Sequence, residues 1–151
     1  METTGPGHTD ALGSRLANAL EPGDRLLLTG PLGAGKSHLV RAIIRSRLGQ
    51  PDADVPSPSY TIVNVYELPQ ASLWHADLYR LSSVDELDEL GLADAPADAI
   101  LLVEWGERWL PQPPRCLVLD IQPRSGDHRS IRAQAFGHGW QRLLAAFEAD
   151  A

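Results

Sequence analysis

The sequence predicts a single α/β domain whose mixed, mostly parallel sheet is flanked by helices. Short apolar runs at 25–29, 99–105 and 115–122 have the composition of strands buried on both faces of a sheet. Segments with the leucine spacing of amphipathic helices stand before and between these runs. The 151 residues have the length of one domain and contain no repeat or linker. We therefore expect a disordered tail at 1–8 and one domain at 9–151.

The first helix is expected to begin at Thr9 or Asp10, either of which can cap it. Leu12, Leu16 and Leu20 follow at intervals of four, so they share one apolar face. A Glu-Pro-Gly-Asp turn then leads into the first buried strand.

The second helix is expected to run from a glycine-rich loop at 30–37 to about Leu48. Its aliphatic residues are expected to face the core, and these are Leu39, Ile43 and Ile44. Its basic residues are expected to face largely outward, and these are Arg41, Arg45 and Arg47. Two strands follow at 60–68 and 73–77, and the short segment between them predicts a hairpin.

In the C-terminal half, Ser83 and Glu86 have the spacing of a capping box and predict a helix over 82–92. Its inward face consists of Val84, Leu87 and Leu90. Beyond the two longer apolar runs, a weaker alternation predicts a strand at 130–136. A closing helix is predicted at 139–149.

Composition restricts the class of protein. The net charge is −7, which argues against a broad basic surface for nucleic acid. The single cysteine, Cys116, excludes an intrachain disulfide and a CxxC metal site, and we interpret it as a small buried residue. Residues 1–10 show neither the basic nor the apolar region of a signal peptide, so we expect none, and no apolar run approaches the roughly 18 residues of a membrane span. We expect a cytoplasmic protein without a membrane partner.

Residues 30–37, GPLGAGKS, match the pattern G-x-x-x-x-G-K-[ST] between a predicted strand and a predicted helix. Glycines let backbone N–H groups surround phosphates, and a helix N-terminus adds positive potential. Lys36 is the only lysine in the chain, and its compact ammonium suits the β- and γ-phosphates. The sequence therefore predicts a P-loop nucleotide site. Its candidate binding residues are Gly30, Pro31, Leu32, Gly33, Ala34, Gly35, Lys36, Ser37 and His38.

A P-loop also needs a carboxylate for its metal ion at the end of a neighbouring strand. Ser37 is one candidate ligand for Mg²⁺. Glu104 and Asp120 each end an apolar run, and the pattern leaves both open. Asp is the more common residue at such a position, whereas the run before Glu104 is longer and more apolar.

Two further segments carry candidate groups. Asp77 ends a predicted strand and could position or deprotonate a water, hold a metal-bound water, or cap a turn. The segment 57–61, SPSYT, offers Ser57, Ser59 and Thr61 in a loop beside the sheet. This is either a switch that senses the γ-phosphate or ordinary loop chemistry.

Taken in order, these segments resemble the TsaE family, small bacterial ATPases needed to make N6-threonylcarbamoyladenosine in tRNA. The resemblance covers about 9–142. The P-loop alone is shared by many families, whereas the ordered set is specific. It consists of LGxxLA (12–17), GPLGAGKS (30–37), SPSYTIVNVYE (57–67), HADLYRL (75–81), DELGL (88–92) and LLVEW (101–105).

The resemblance implies a role for each matching position. Lys36 and the loop backbone would hold the phosphates of ATP, while Ser37 and Glu104 would bind Mg²⁺. Asp77 would serve hydrolysis, and 59–61 would lie in the switch-like loop. On this resemblance, the metal carboxylate is Glu104 rather than the competing aspartate.

The resemblance also implies partners and shows two departures. Hydrolysis would cycle a complex with TsaD and TsaB, and tRNA would be met only through that complex. His38 stands where family members commonly have a second threonine after the lysine, and Ser59 replaces another threonine. Trp105 matches the family's tryptophan beside the metal carboxylate.

Three other functions remain open at this stage. A small-molecule P-loop kinase would need an acceptor pocket and usually a lid, and neither is visible in the sequence. A GTPase would need the guanine-reading pattern N-K-x-D, which is impossible because Lys36 is the only lysine. A non-catalytic nucleotide-binding interaction protein would keep the P-loop without turnover.

Overall fold

The structure, a computed structural model, describes residues 1–58, 63–83 and 85–149. The described elements, with our labels, are β1 Glu2–Thr3, α1 Pro6–Ala19, β2 Arg25–Thr29, α2 Lys36–Leu48, β3 Val63–Glu67, β4 Ser72–Asp77, α3 Asp85–Leu90, β5 Ile100–Glu104, β6 Cys116–Pro123, β7 Arg129–Phe136 and α4 Gln141–Glu148. A single 3₁₀ turn covers Gly106–Arg108.

These strands form one sheet in the order β1-β7-β6-β2-β5-β4-β3. The four central strands, β6, β2, β5 and β4, run parallel, and antiparallel strands flank them on both sides. The predicted mixed sheet with parallel central strands and flanking helices is confirmed. The predicted hairpin is also confirmed, because β3 pairs antiparallel with β4.

Two apolar layers cover the sheet. Leu26 and Leu28 of β2 face one side, where they join a cluster with α1, α2 and α4. Leu27 points the other way and packs with Leu101, Val103 and residues of the α3 region. Because β2 and β5 are covered on both faces, their near-continuous leucine and valine runs are what a central parallel strand requires. The loop that follows β2 lies at the carboxyl-terminal edge of these strands.

The disordered tail predicted for 1–8 is wrong. Glu2–Thr3 pairs with β7, and the amino group of Met1 donates to the carbonyl of Ile131 over 2.9 Å. The helix α1 begins at Pro6 rather than at a cap near Thr9. Proline suits the first turn of a helix, and a two-residue strand is too short to show any periodicity.

Smaller differences concern the α3 region. The side chain of Glu86 accepts from the backbone N–H and the hydroxyl of Ser82, not from Ser83 as the capping box predicts. Leu87 is buried and Leu90 is half-buried, whereas Val84 lies outside the described residues. Cys116 is buried, as expected. No helix in the described part of the chain is both long and apolar enough to cross a membrane.

Candidate functional site

The loop at 30–35 connects the centre of the sheet to the start of α2. Gly30 has φ +132° and Gly35, which precedes the helix, has φ +109°. Side chains strongly disfavour these backbone conformations. A Cβ added to Gly30 would lie 2.2 Å from the carbonyl oxygen of Ile121 on β6. The loop therefore owes its shape both to backbone freedom and to a close approach to the neighbouring strand.

We expect Gly30→Ala to destabilise the protein more than Gly33→Ala. Both positions have positive φ, but an added Cβ at Gly33 meets no atom within 4 Å. The control thus measures backbone strain alone, roughly 1–2 kcal/mol. The alanine at Gly30 adds the clash with Ile121. Thermal unfolding followed by circular dichroism checks this expectation, and equal melting temperatures for the two variants would contradict it.

Lys36, at the first position of α2, lies folded back onto the loop. Its Nζ donates to the carbonyl oxygens of Gly30 and Pro31 over 2.6 and 2.9 Å, and lies 4.0 Å from the ring centroid of Trp105. The residue is only 5% exposed. Burial lowers the pKa of Lys36 from its ordinary value. Four nearby carboxylates oppose that shift in pKa: Glu107, Glu104, Asp77 and Asp120.

A chain of short polar contacts joins α2 to two strands. The hydroxyl of Ser37 donates to Oε1 of Glu104 over 2.5 Å, and Oε2 of Glu104 lies 2.6 Å from Nε2 of His75. Glu104 and His75 are both buried. Asp120 instead accepts from the hydroxyl of Thr29 over 2.7 Å. Of the two competing carboxylates, the structure brings only Glu104 into contact with Ser37.

Asp77 lies directly opposite Glu104 in the parallel pairing of β4 with β5. The backbone N–H of Tyr79 donates to Oδ1 of Asp77 over 2.9 Å, so the side chain does cap a turn. Burial is the largest influence and raises the pKa of Asp77, and the charge of Glu104 raises it further. The Tyr79 hydrogen bond and the charges of His75 and Lys36 lower the pKa by less. Asp77 is therefore a more basic carboxylate than an exposed aspartate.

These groups line one cleft of about 410 Å³. Its walls are Leu32, Gly33, Ala34, Gly35, Lys36, Ser37, His38, Ser57, Asp77, Tyr79, Arg80, Glu104 and Trp105. Gly30 and Pro31 are not among them, and their carbonyl groups accept hydrogen bonds from Lys36. The candidates Ser59 and Thr61 lie outside the described residues. A smaller cavity of about 90 Å³ continues past Ala34, Gly35 and His38 toward Thr9 and Arg129.

Several contacts of the site are absent from the sequence prediction. His75 lies two residues before Asp77 but shows no metal-ligand spacing in the sequence, so only its contact with Glu104 identifies it as part of the site. Arg129 on β7 donates from Nε to the carbonyl of Ala34 over 2.9 Å and braces the loop. Trp105 has φ +57° and its ring lies 5.0 Å from that of Tyr79. No local sequence pattern predicts such contacts between distant segments.

The oxygen atoms of Ser37 and Glu104 are donors of the kind that suit a magnesium ion. A hydroxyl and a carboxylate are the hard oxygen ligands that Mg²⁺ prefers, and the ion typically takes one or two carboxylates besides substrate phosphates. Among 1–58, 63–83 and 85–149, no group of three or more His, Cys, Asp or Glu side chains could form a metal site by itself. The residues present fit a magnesium ion that a phosphate ligand helps to hold.

A family model described as "Threonylcarbamoyl adenosine biosynthesis protein TsaE" matches residues 3–131. The chain belongs to the TsaE family. A TsaE protein of Aquifex aeolicus is 33% identical over 124 residues, which are 82% of this chain and 86% of that protein. The TsaE protein of Haemophilus influenzae is 34% identical over 80% of this chain and 75% of its own length.

Other members of the TsaE family match over a smaller share of their length. The Rickettsia felis protein is 38% identical over 99 residues, and these cover 66% of this chain but only 57% of the relative. Among solved structures, the crystal structure of Bacillus subtilis YdiB has a TM-score of 0.75 and 27% identity. That match covers 99% of this chain and 93% of YdiB. The resemblance noted from the ordered sequence segments is confirmed.

Proposed function

We propose that this protein binds ATP with Mg²⁺ in the 410 Å³ cleft and hydrolyses it. The observation that carries the proposal is the contact of Ser37 with Glu104 at 2.5 Å, beside Lys36 and beneath the glycine-rich loop. A lysine, a hydroxyl and a strand-end carboxylate at one helix N-terminus are the parts that P-loop ATPases use. In this role the protein is a magnesium-dependent hydrolase.

Phosphate binding is the task of the loop and Lys36. The N-terminus of α2 points its backbone N–H groups and its positive end into the cleft. Lys36 forms part of the cleft wall, and its Nζ donates two hydrogen bonds to carbonyl groups of the loop. A triphosphate is a stronger acceptor than a neutral carbonyl, so these hydrogen bonds would exchange when it binds.

Ser37 and Glu104 would hold the magnesium ion. When bound, Mg²⁺ neutralises charge on the phosphate oxygens. The residues of this chain prepare the site beforehand, since Glu104 is buried with its carboxylate already directed at the Ser37 hydroxyl. Glu104 needs no large rearrangement to present an oxygen to the ion.

Hydrolysis would use Asp77. Its carboxylate reaches the cleft from β4, outside the loop, and its raised pKa makes it a better proton acceptor than an exposed aspartate. A water held by Asp77 would lose its proton to this carboxylate as it attacks the γ-phosphorus, and the bond between that phosphorus and the bridging oxygen would break to release ADP and phosphate.

The biological setting follows from family membership. We propose that ATP turnover acts as a switch on a TsaD–TsaB complex during threonylcarbamoyladenosine modification of tRNA, in the cytoplasm. The net charge of −7 gives little attraction for RNA, so contact with tRNA would be indirect and through the complex. The same chain without turnover would be a nucleotide-binding interaction protein.

Calorimetric titration of the pure protein tests the nucleotide site. We expect ATP to bind more tightly with Mg²⁺ than with excess EDTA, and GTP to bind more weakly than ATP. Absence of ATP binding under both conditions would contradict the proposal. Tight ATP binding without any phosphate release, alone or with the partner proteins, would favour the interaction protein.

The role of Glu104 can be separated from that of Asp120. Glu104→Gln is expected to reduce the Mg²⁺-dependent gain in ATP affinity by about 10-fold or more, because the ion loses a charged ligand. Asp120→Asn is the matched control, since this carboxylate lies within β6 and bonds to Thr29, not to Ser37. Titrations with Mg²⁺ and with EDTA give the ratio for each variant. A larger loss for Asp120→Asn would overturn the metal assignment.

A further inference from the structure

His75 is a buried polar side chain that the proposed mechanism does not use. It lies on β4, is fully buried and is not part of the cleft wall. Its Nε2 lies 2.6 Å from Oε2 of Glu104, while its Nδ1 has no hydrogen-bond partner among the residues the structure describes. The ring therefore has one polar contact in the described structure, and that contact is with the carboxylate beside the loop.

The two oxygens of Glu104 are held from two different elements. Oε1 accepts from Ser37 in the first turn of α2, and Oε2 contacts His75 on β4. The role of the ring nitrogen depends on the tautomer: a ring with its proton on Nε2 donates to the carboxylate of Glu104, whose oxygens accept. The ring thus occupies one oxygen and leaves the other directed at Ser37.

The strand register explains why the histidine reaches this oxygen. His75 pairs with Leu102 and Asp77 pairs with Glu104, so His75 and Glu104 lie diagonally across the β4–β5 ladder on one face. Both backbones belong to strands that are hydrogen-bonded to a neighbouring strand on each side. A ring fixed there can define the direction of a longer, more flexible glutamate side chain.

If His75 had a purely structural role, its removal would not change how the Glu104 carboxylate is presented to a metal ion. The cluster could be explained as a means of satisfying a buried carboxylate, since burial without a partner is unfavourable. However, the ring contacts Oε2 of Glu104, the carboxylate oxygen that Ser37 does not contact. Residues that hold metal-binding carboxylates by hydrogen bonds have measurable effects on metal affinity.

We propose that His75 is a positioning residue that orients the Glu104 carboxylate toward the Mg²⁺–nucleotide complex. The proposal rests on the proposed function, because it assigns Glu104 to the metal ion. It adds a residue outside the cleft whose effect passes through one hydrogen bond. His75 itself touches neither nucleotide nor ion.

The test compares the gain in nucleotide affinity on adding Mg²⁺ for two substitutions. His75→Leu removes the donor, and we expect the gain to fall by 10-fold or more. His75→Gln keeps an N–H donor of similar reach, so this variant is expected to retain most of the gain in affinity on adding Mg²⁺. Affinity in EDTA is expected to stay within about 2-fold for both, because the loop and Lys36 are unchanged. Leu73→Val, on the same strand and face but paired with Ile100, controls for packing changes.

A second measurement uses the wild-type protein alone and does not depend on how the variants fold. Long-range ¹H–¹⁵N correlation spectra report which ring nitrogen of a histidine carries a proton. We expect Nε2 of His75 to be protonated in the nucleotide-free protein. A neutral ring protonated only at Nδ1 could not donate to Glu104 and would overturn the proposal.

The outcomes separate the two levels of inference. If wild type gains affinity with Mg²⁺ and His75→Leu retains that gain, the positioning role is wrong and the proposed function stands. If the Gln and Leu substitutions lose the gain equally while Leu73→Val keeps it, the hydrogen bond is not the cause and the proposal fails. If wild type binds nucleotide without any response to Mg²⁺, the metal assignment fails, and the role of His75 fails with it.

Discussion

Lys36→Ala is expected to weaken ATP binding by roughly 100-fold or more while the protein remains folded. The ammonium is the positive side chain that the loop itself places in the cleft. Removing it deletes charge-assisted hydrogen bonds to phosphate, which are about twice as strong as neutral ones. Calorimetric titration with ATP and Mg²⁺ measures the loss.

The fold is expected to survive this substitution for an electrostatic reason. Burial lowers the pKa of Lys36, so the folded protein carries the ammonium at a cost in free energy. Alanine removes that cost, together with the hydrogen bonds to Gly30 and Pro31. We expect the melting temperature to change by only a few degrees.

Lys36→Arg is the control for charge alone. A planar guanidinium keeps the positive charge but not the compact geometry, so we expect affinity between those of wild type and the alanine variant. ATP affinity of Lys36→Ala equal to that of wild type would show that nucleotide does not bind at this loop.

Asp77→Asn is expected to reduce ATP hydrolysis by about 10²- to 10⁴-fold and to leave ATP affinity within a few-fold. Asparagine keeps the shape of the side chain and an oxygen for the Tyr79 N–H, but it cannot accept a proton from water. In the proposed mechanism, phosphate affinity comes from the loop, Lys36 and the metal ion, none of which Asp77 supplies. The rate of ATP hydrolysis is measured as phosphate release with the partner proteins present.

The stability of the same variant separates catalysis from turn capping. If Asp77 only caps the turn at Tyr79, the substitution would change melting temperature and leave turnover close to normal. Asp120→Asn again serves as the matched control, because it alters a carboxylate within β6 that is bonded to Thr29. Wild-type turnover by Asp77→Asn would remove this residue from the mechanism.

Much of the fold was predictable because its strongest signals are local. The leucine run at 25–29, the glycine pattern at 30–37 and the helix after it follow one another directly along the chain, and the structure has them as β2, the loop and α2. The apolar runs at 25–29 and 99–105 predicted strands buried on both faces, and the structure has them as β2 and β5, paired in parallel. The pattern could not choose between Glu104 and Asp120, since both end such a run.

The remaining features depend on contacts between distant segments. The strand at Glu2–Thr3 exists because β7 offers an edge to pair with, and two residues carry no periodic signal. Arg129 donates a hydrogen bond to the loop carbonyl of Ala34, which lies 95 residues earlier in the sequence. His75 becomes significant only when the β4–β5 register brings it to Glu104. Such contacts are set by tertiary packing and have no counterpart in residue spacing.

The most direct test of ATP-driven function is phosphate release by the wild-type protein with ATP and Mg²⁺, measured alone and with purified TsaD and TsaB. We expect slow release by the protein alone, a marked increase with both partners, and loss of that increase in EDTA. Bound ATP that stays intact with TsaD, TsaB and Mg²⁺ all present would contradict the assignment of this cleft as an ATPase site.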